Sequence, residues 1–165
     1  MRHIGYDNSA FNIEFFWDEV QNRIWLLEIN TRIAQSHCDL FEKVDGVSHH
    51  QVTVDVALGR KPRMPRDEGD YQVAAEFFHR VFLGDGRVAR VPSEQEIAKV
   101  EKAIPGTIVR PQVREGMLLS GLPEQDSYCF GVATIYMGAK NRSNLLRNYD
   151  RVLKKLPFEF ADIIP

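Results

Sequence analysis

FNIEFFWDEVQNRIWLLEINTRIAQSH, running from Phe11 to His37, alternates in polarity on either side of a polar interruption and reads as a β-hairpin. With Asp18 to Asn22 as the turn and the strands pairing about Gln21, Glu14 is expected opposite Glu28, Asn12 opposite Asn30 and Phe16 opposite Leu26. Cross-strand partners share one face of a sheet. The other face then carries Ile13, Phe15, Trp17, Trp25, Leu27 and Ile29, is wholly apolar, and is expected to be buried.

Like charges directly opposite each other destabilise a strand pair, so Glu14 against Glu28 calls for something positive between them. A divalent cation is the simplest candidate. Two carboxylates and the Asn30 side-chain oxygen are the hard ligands that Mg²⁺, or Mn²⁺ in its place, takes together with waters and substrate phosphates. Arg32 follows with a fixed charge and a planar fork of donors suited to phosphate or carboxylate. The competing reading is a solvated face on which Arg32 is only the counter-ion of the two glutamates.

The segments IEFF, LLEINTRI and DLFEKVDGVSHHQVTVDVALGRKP resemble the C-terminal half of the ATP-grasp domain, in its biotin carboxylase and carboxylate-amine ligase branch. The resemblance continues to LPEQDSYCFGVATIYMGAKNRSNLLRNYDRVLKKL, which is similar to the last subdomain of such enzymes. It implies an α+β fold: an antiparallel sheet with packed helices, followed by a small α+β C-terminal lobe. It also implies that Glu14, Glu28 and Asn30 hold Mg²⁺ bridging ATP phosphates, and that Arg32 contacts an acyl phosphate or a small carboxylate substrate. Arg110 stands before Asp126 at a spacing similar to that of a substrate-contacting Arg in the carboxylases, which makes it either a second anion contact or an ordinary surface arginine.

Two departures accompany the matches. Where biotin carboxylases follow NTRI with a Gln and, two positions on, a Glu proposed as the base for bicarbonate, this chain has Ala34 and Ser36. That departure counts against true biotin carboxylation. In addition, the Gly-rich phosphate loop, the phosphate-binding lysines and the adenine hinge lie upstream of IEFF in the family, whereas Met1 stands only 13 residues before Glu14. The chain is expected to work with N-terminal ATP-grasp subdomains supplied elsewhere or with a partner chain, and to expose an apolar seam or cover it by homo-oligomerisation.

At 165 residues and 44% apolar content the chain can bury the core of one domain or two small lobes. The expected division is residues 1–62, a linker over 63–70 within a Pro-containing and highly charged stretch, and a second lobe over 71–165. A net charge of −2 gives no broad drive toward nucleic acid or anionic membrane, and neither is an expected partner. No apolar run is long enough to span a bilayer and no signal peptide is evident, so a cytoplasmic location is expected. Cys38 and Cys129 are expected to remain reduced thiols.

Further along, helices are expected over His37–Val44 and from Ser48 to Leu58, and both are expected to cover the apolar side of the hairpin. Gly84-Asp85-Gly86 suggests a second hairpin between Gln72–Leu83 and Arg87–Val91. The S-E-Q-E spacing at Ser93 is a capping box for a helix bearing Ile97, Val100 and Ile104. Tyr128–Met137 is a further strand, and Asn141 or Ser143 opens a last amphipathic helix through Leu156. His37, Cys38, His49 and His50 lack the separated pairs of a structural zinc site, and Cys129 lies in an apolar strand pattern that favours an inert thiol.

Two functions from different classes follow. One is the Mg-ATP side of a ligase site that activates a carboxylate as acyl phosphate for attack by an amine or similar nucleophile. The other is a non-catalytic assembly or docking module that retains the lobe fold.

Overall fold

Strands β1 (Asn12–Asp18) and β2 (Arg23–Asn30) form an antiparallel hairpin whose connection is Glu19 to Asn22. Asp18 Oδ1 accepts from the Gln21 amide at 3.0 Å, and Asn22 adopts φ 48°, a left-handed conformation that Asn tolerates in turns. Asn12 pairs with Asn30 and Glu14 with Glu28, the register that the alternation predicts. Beyond that point the register shifts. A bulge at Leu27 leaves Phe15 opposite Leu26, Phe16 opposite Trp25 and Trp17 opposite Ile24, so the expected Phe16–Leu26 pair does not form. One extra residue on β2 transfers Trp25 from the face expected for it to the side of Phe16.

The computed structural model describes residues 1–82, 84–122 and 129–164. They divide into two compact units, Met1–Gly69 and Asp70–Pro165.

In the first unit, helix α1 (Gln35–Asp45) ends at Gly46, whose φ of 82° is a left-handed cap that any side chain would strain. Helix α2 (His49–Ala57) starts where the Ser48 hydroxyl accepts from the His50 amide at 3.3 Å. The following segment folds back on α1: the Gly69 amide donates to the Val44 carbonyl at 2.8 Å and the Asp67 amide to Asp45 Oδ1 at 3.0 Å. The two helices pack on each other and leave the hairpin faces bare. Phe15, Trp17, Trp25 and Leu27 are 53–68% exposed, contrary to the burial expected from their pattern. Alternation identifies an apolar face but cannot supply its cover, and α1 and α2 reach only the base of the hairpin near Asn12 and Ile33.

In the second unit, β3 (Val73–Val81), β6 (Phe130–Ala139) and β5 (Thr107–Pro111) form an antiparallel sheet in the order β3-β6-β5. Helix α3 (Glu94–Ala103) starts with the expected capping box, and α4 (Arg142–Lys155) starts where Asn141 Oδ1 accepts from the Asn144 amide. The spacing of Leu145, Val152 and Leu156 buries them against Ile135 and Met137 of β6, with Val100 and Ile104 in the same core. Tyr149 stacks on Phe77 at 4.1 Å between centroids.

Strand β4 (Asp85–Arg90) does not return along β3. It pairs with the C-terminal strand β7 (Glu159–Ile164), over a second core of Val88, Val113, Leu119, Leu122 and Val132. Asp85, read as a turn residue, instead accepts from the Ser120 amide (2.9 Å) and hydroxyl (2.6 Å), which hold its carboxyl below the usual range. Long-range pairing overrides the local Asp-Gly signal. No helix among the described residues is long and apolar enough to cross a membrane.

Candidate nucleotide and anion site

The hairpin register places the Glu14 and Glu28 side chains on one face, and the Asn30 amide bridges them. Its Nδ2 donates to Glu28 Oε1 at 2.8 Å and to Glu14 Oε1 at 3.4 Å. Asn12, opposite Asn30, adds a 3.3 Å contact from its Nδ2 to the same Glu14 oxygen. Two amide groups thus partly offset the repulsion expected of facing carboxylates. The donor set also fits a hard cation, since rotating the Asn30 amide presents Oδ1 beside two carboxylates, all oxygen ligands of the type Mg²⁺ takes. Among the described residues no group of three His, Cys, Asp or Glu forms an alternative metal cluster.

Arg32 lies just past the end of β2, where its Nη1 donates to the Ile33 carbonyl at 3.2 Å. It borders an open polar pocket with Asn12, Glu14, Ser36, His37 and His50. The structure therefore brings Glu14, Glu28 and Asn30 into one hydrogen-bonded group and sets Glu14 and Arg32 on one pocket. Arg110 belongs to the second unit, where it is exposed on β5 opposite Thr134. Asp126, its expected companion, lies outside the described residues.

The residues that sequence reading did not assign to this site are Asn12, Ser36, His37 and His50. Asn12 was legible from its register partner Asn30; the other three come from α1 and α2, whose approach to the hairpin base no local pattern signals. The other two His/Cys-segment side chains have different surroundings. His49 stacks on Phe41 at 3.9 Å, and the buried Cys38 thiol lies 3.5 Å from the Ala34 carbonyl, with burial pushing its pKa up.

Residues 1–64 match the family described as carbamoyl-phosphate synthase L chain, ATP binding domain. The same chain aligns in structure, over 98% of its length, with the biotin carboxylase domain of Hydrogenobacter thermophilus 2-oxoglutarate carboxylase, at a TM-score of 0.60 and 18% identity. The chain has the fold of part of a biotin carboxylase, its ATP-grasp lobe. Biotin carboxylase from Campylobacter jejuni gives a TM-score of 0.60 at 16% identity over 97% of the chain. The phosphoribosylaminoimidazole carboxylase ATPase subunit from Aquifex aeolicus gives 0.50 at 14% identity over 90% of this chain and 38% of its own. The chain spans about a third (34%) of each of the two biotin carboxylase chains. The Hydrogenobacter structure holds MgADP, ADP and bicarbonate. No curated protein sequence gives a significant match.

Proposed function

We propose that this ATP-grasp segment contributes the metal and phosphate side of an ATP-dependent site that activates a carboxylate. The observation that carries the reading is the facing Glu14–Glu28 pair with the Asn30 amide between them and Arg32 on the adjoining pocket. Glu14, Glu28 and Asn30 would hold Mg²⁺, which when bound neutralises phosphate charge and stabilises the charge that develops in phosphoryl transfer. Arg32 has donors beyond the one given to the Ile33 carbonyl, and these orient an anionic substrate. The substrate carboxylate oxygen attacks the γ-phosphorus of ATP, the bond to the ADP oxygen breaks, and an acyl phosphate results. A nucleophile then attacks the acyl carbon and phosphate leaves. Arg32 contributes orientation and a fixed positive charge to both steps.

Support for a ligase part comes from the match of residues 1–64 to an ATP-binding family and from structural neighbours crystallised with adenine nucleotides. The test is calorimetric titration of the chain with Mg²⁺ and ATP beside Glu28→Ala. Binding that Glu28→Ala abolishes supports the assignment; equal binding by both proteins overturns it.

The bare hairpin favours a second reading, a docking module without catalysis. Phe16, Ile24 and Leu26 are 58–68% exposed, and an apolar surface of this kind marks an interaction site. In that case the chain's behaviour depends on a partner and is indifferent to nucleotide.

A further inference from the structure

Two pockets meet at Ala34. The polar one contains Arg32; the other, of about 420 Å³, is walled by Phe11, Phe41, His49, Val52, Val56 and Met64. They share Asn12, Ile33, Ala34 and His37 as lining. From this shared lining we infer that the anion held at Arg32 is the carboxylate of an acid with an aromatic or branched apolar body, and that the body lies in the adjoining α1–α2 pocket. The inference rests on the proposed activation of a carboxylate and names the class of acid.

The pocket volume falls within the range of roughly 300–1,000 Å³ typical of small-molecule sites, well beyond what a bicarbonate or acetate ion fills. Its walls suit a ring. Phe41 and His49 stack with an interplanar angle of 19°, forming an aromatic surface. Burial is the main cause that lowers the His49 pKa, opposed by Asp45 and reinforced by His37, which favours the neutral imidazole. Arg32 is exposed, lines the polar pocket with Glu14, and is in no ion pair among the described residues.

Ala34 borders both pockets. A methyl side chain there takes little of the space of either pocket, and a large one would fill part of both. Ala34 therefore acts as a specificity-determining position, selecting body size without contacting the carboxylate.

The experiment compares sodium phenylacetate with sodium acetate by calorimetric or NMR titration of the full chain, with circular dichroism confirming that each variant is folded. Phenylacetate is expected to bind at least tenfold more tightly than acetate, and Arg32→Ala to weaken both. Ala34→Phe and, independently, Val56→Trp are expected to remove most of the phenylacetate advantage. Equal affinities, no detectable phenylacetate binding, binding indifferent to Arg32→Ala, or an advantage that survives both pocket-filling variants would each overturn the inference. A parallel MgATP titration of wild type and Glu28→Ala separates the two levels. Loss of the aromatic preference with Glu28-dependent MgATP binding intact sinks the acid class alone. Aromatic-acid binding without Glu28-dependent MgATP binding sinks the activation reading alone.

Discussion

Asn30 Nδ2 lies 2.8 Å from Glu28 Oε1 and 3.4 Å from Glu14 Oε1, so a single amide mediates between two carboxylates that the strand register sets face to face. Replacing it with a third carboxylate removes that mediation. Asn30→Asp is expected to destabilise the first unit by about 1 kcal/mol without divalent cations, the upper end for a cross-strand pair. Because it adds an oxygen ligand, millimolar Mg²⁺ is expected to raise the Asn30→Asp melting temperature more than that of the wild type. Thermal melts with and without Mg²⁺ check this. Melts of both proteins that ignore Mg²⁺ would remove the cation from the site.

That pairing was legible because period-2 alternation pins register wherever one face must differ from the other. The bulge at Leu27 was not, since no Gly or Pro marks it and Leu27 suits either face. The helix starts at Ser48, Ser93 and Asn141 were readable because capping chemistry is local to a few residues. The β4–β7 pairing was not readable, because strands separated by some seventy residues leave no local trace and Asp85-Gly86 carries a turn signal that Ser120 redirects. Arg32 could be proposed from its residue type and the resemblance, whereas the pocket it borders also takes residues of α1 and α2 that no local pattern joins to it.

Tyr71 lies so close to the backbone of β6 that only glycine fits beneath it. A Cβ at Gly138 would fall 2.4 Å from Tyr71 Cγ, and one at Gly106 2.5 Å from Tyr71 Cζ, where φ is also +83°. Gly138→Ala is expected to cost about 1–3 kcal/mol, the usual range for overpacking. If the ring is the obstacle, Tyr71→Ala should recover part of that loss in the Tyr71→Ala/Gly138→Ala double variant. Urea unfolding of the four proteins in the cycle measures the coupling, and strictly additive effects would locate the strain elsewhere.

Burial lowers the pKa of His79 on β3, which sits 5.5 Å from the Phe158 ring. In the unfolded chain the imidazole takes up its proton near its ordinary value of about 6.5. The folded unit resists protonation until lower pH. The stability due to neutral His79 is therefore complete above about 6.5 and declines as pH falls below it toward the lowered folded value. His79→Leu should flatten the dependence of unfolding free energy on pH in this window, by at most about 1.4 kcal/mol per pH unit. Denaturant titrations at successive pH values provide the check; parallel curves for both proteins would mean that His79 is not the linked group.

The chain's two tryptophans, Trp17 and Trp25, both lie on the hairpin and are 57% and 53% exposed. They report directly on whether anything covers it. In dilute solution their emission should be that of hydrated indole. If the hairpin is a docking face, emission should shift to shorter wavelength as protein concentration rises or as a hydrophobic dye is added, because apolar area leaves water in either case. Phe16→Lys places a charge directly opposite Trp25 and should suppress the shift without unfolding the second unit, whose core lies on other strands. An emission maximum that stays put from low to high concentration, in a protein that binds no dye, would show that this apolar hairpin does not act as an interface. Dependence of the shift on concentration alone points to a second copy of the chain, because no other partner is then present to bury the two rings.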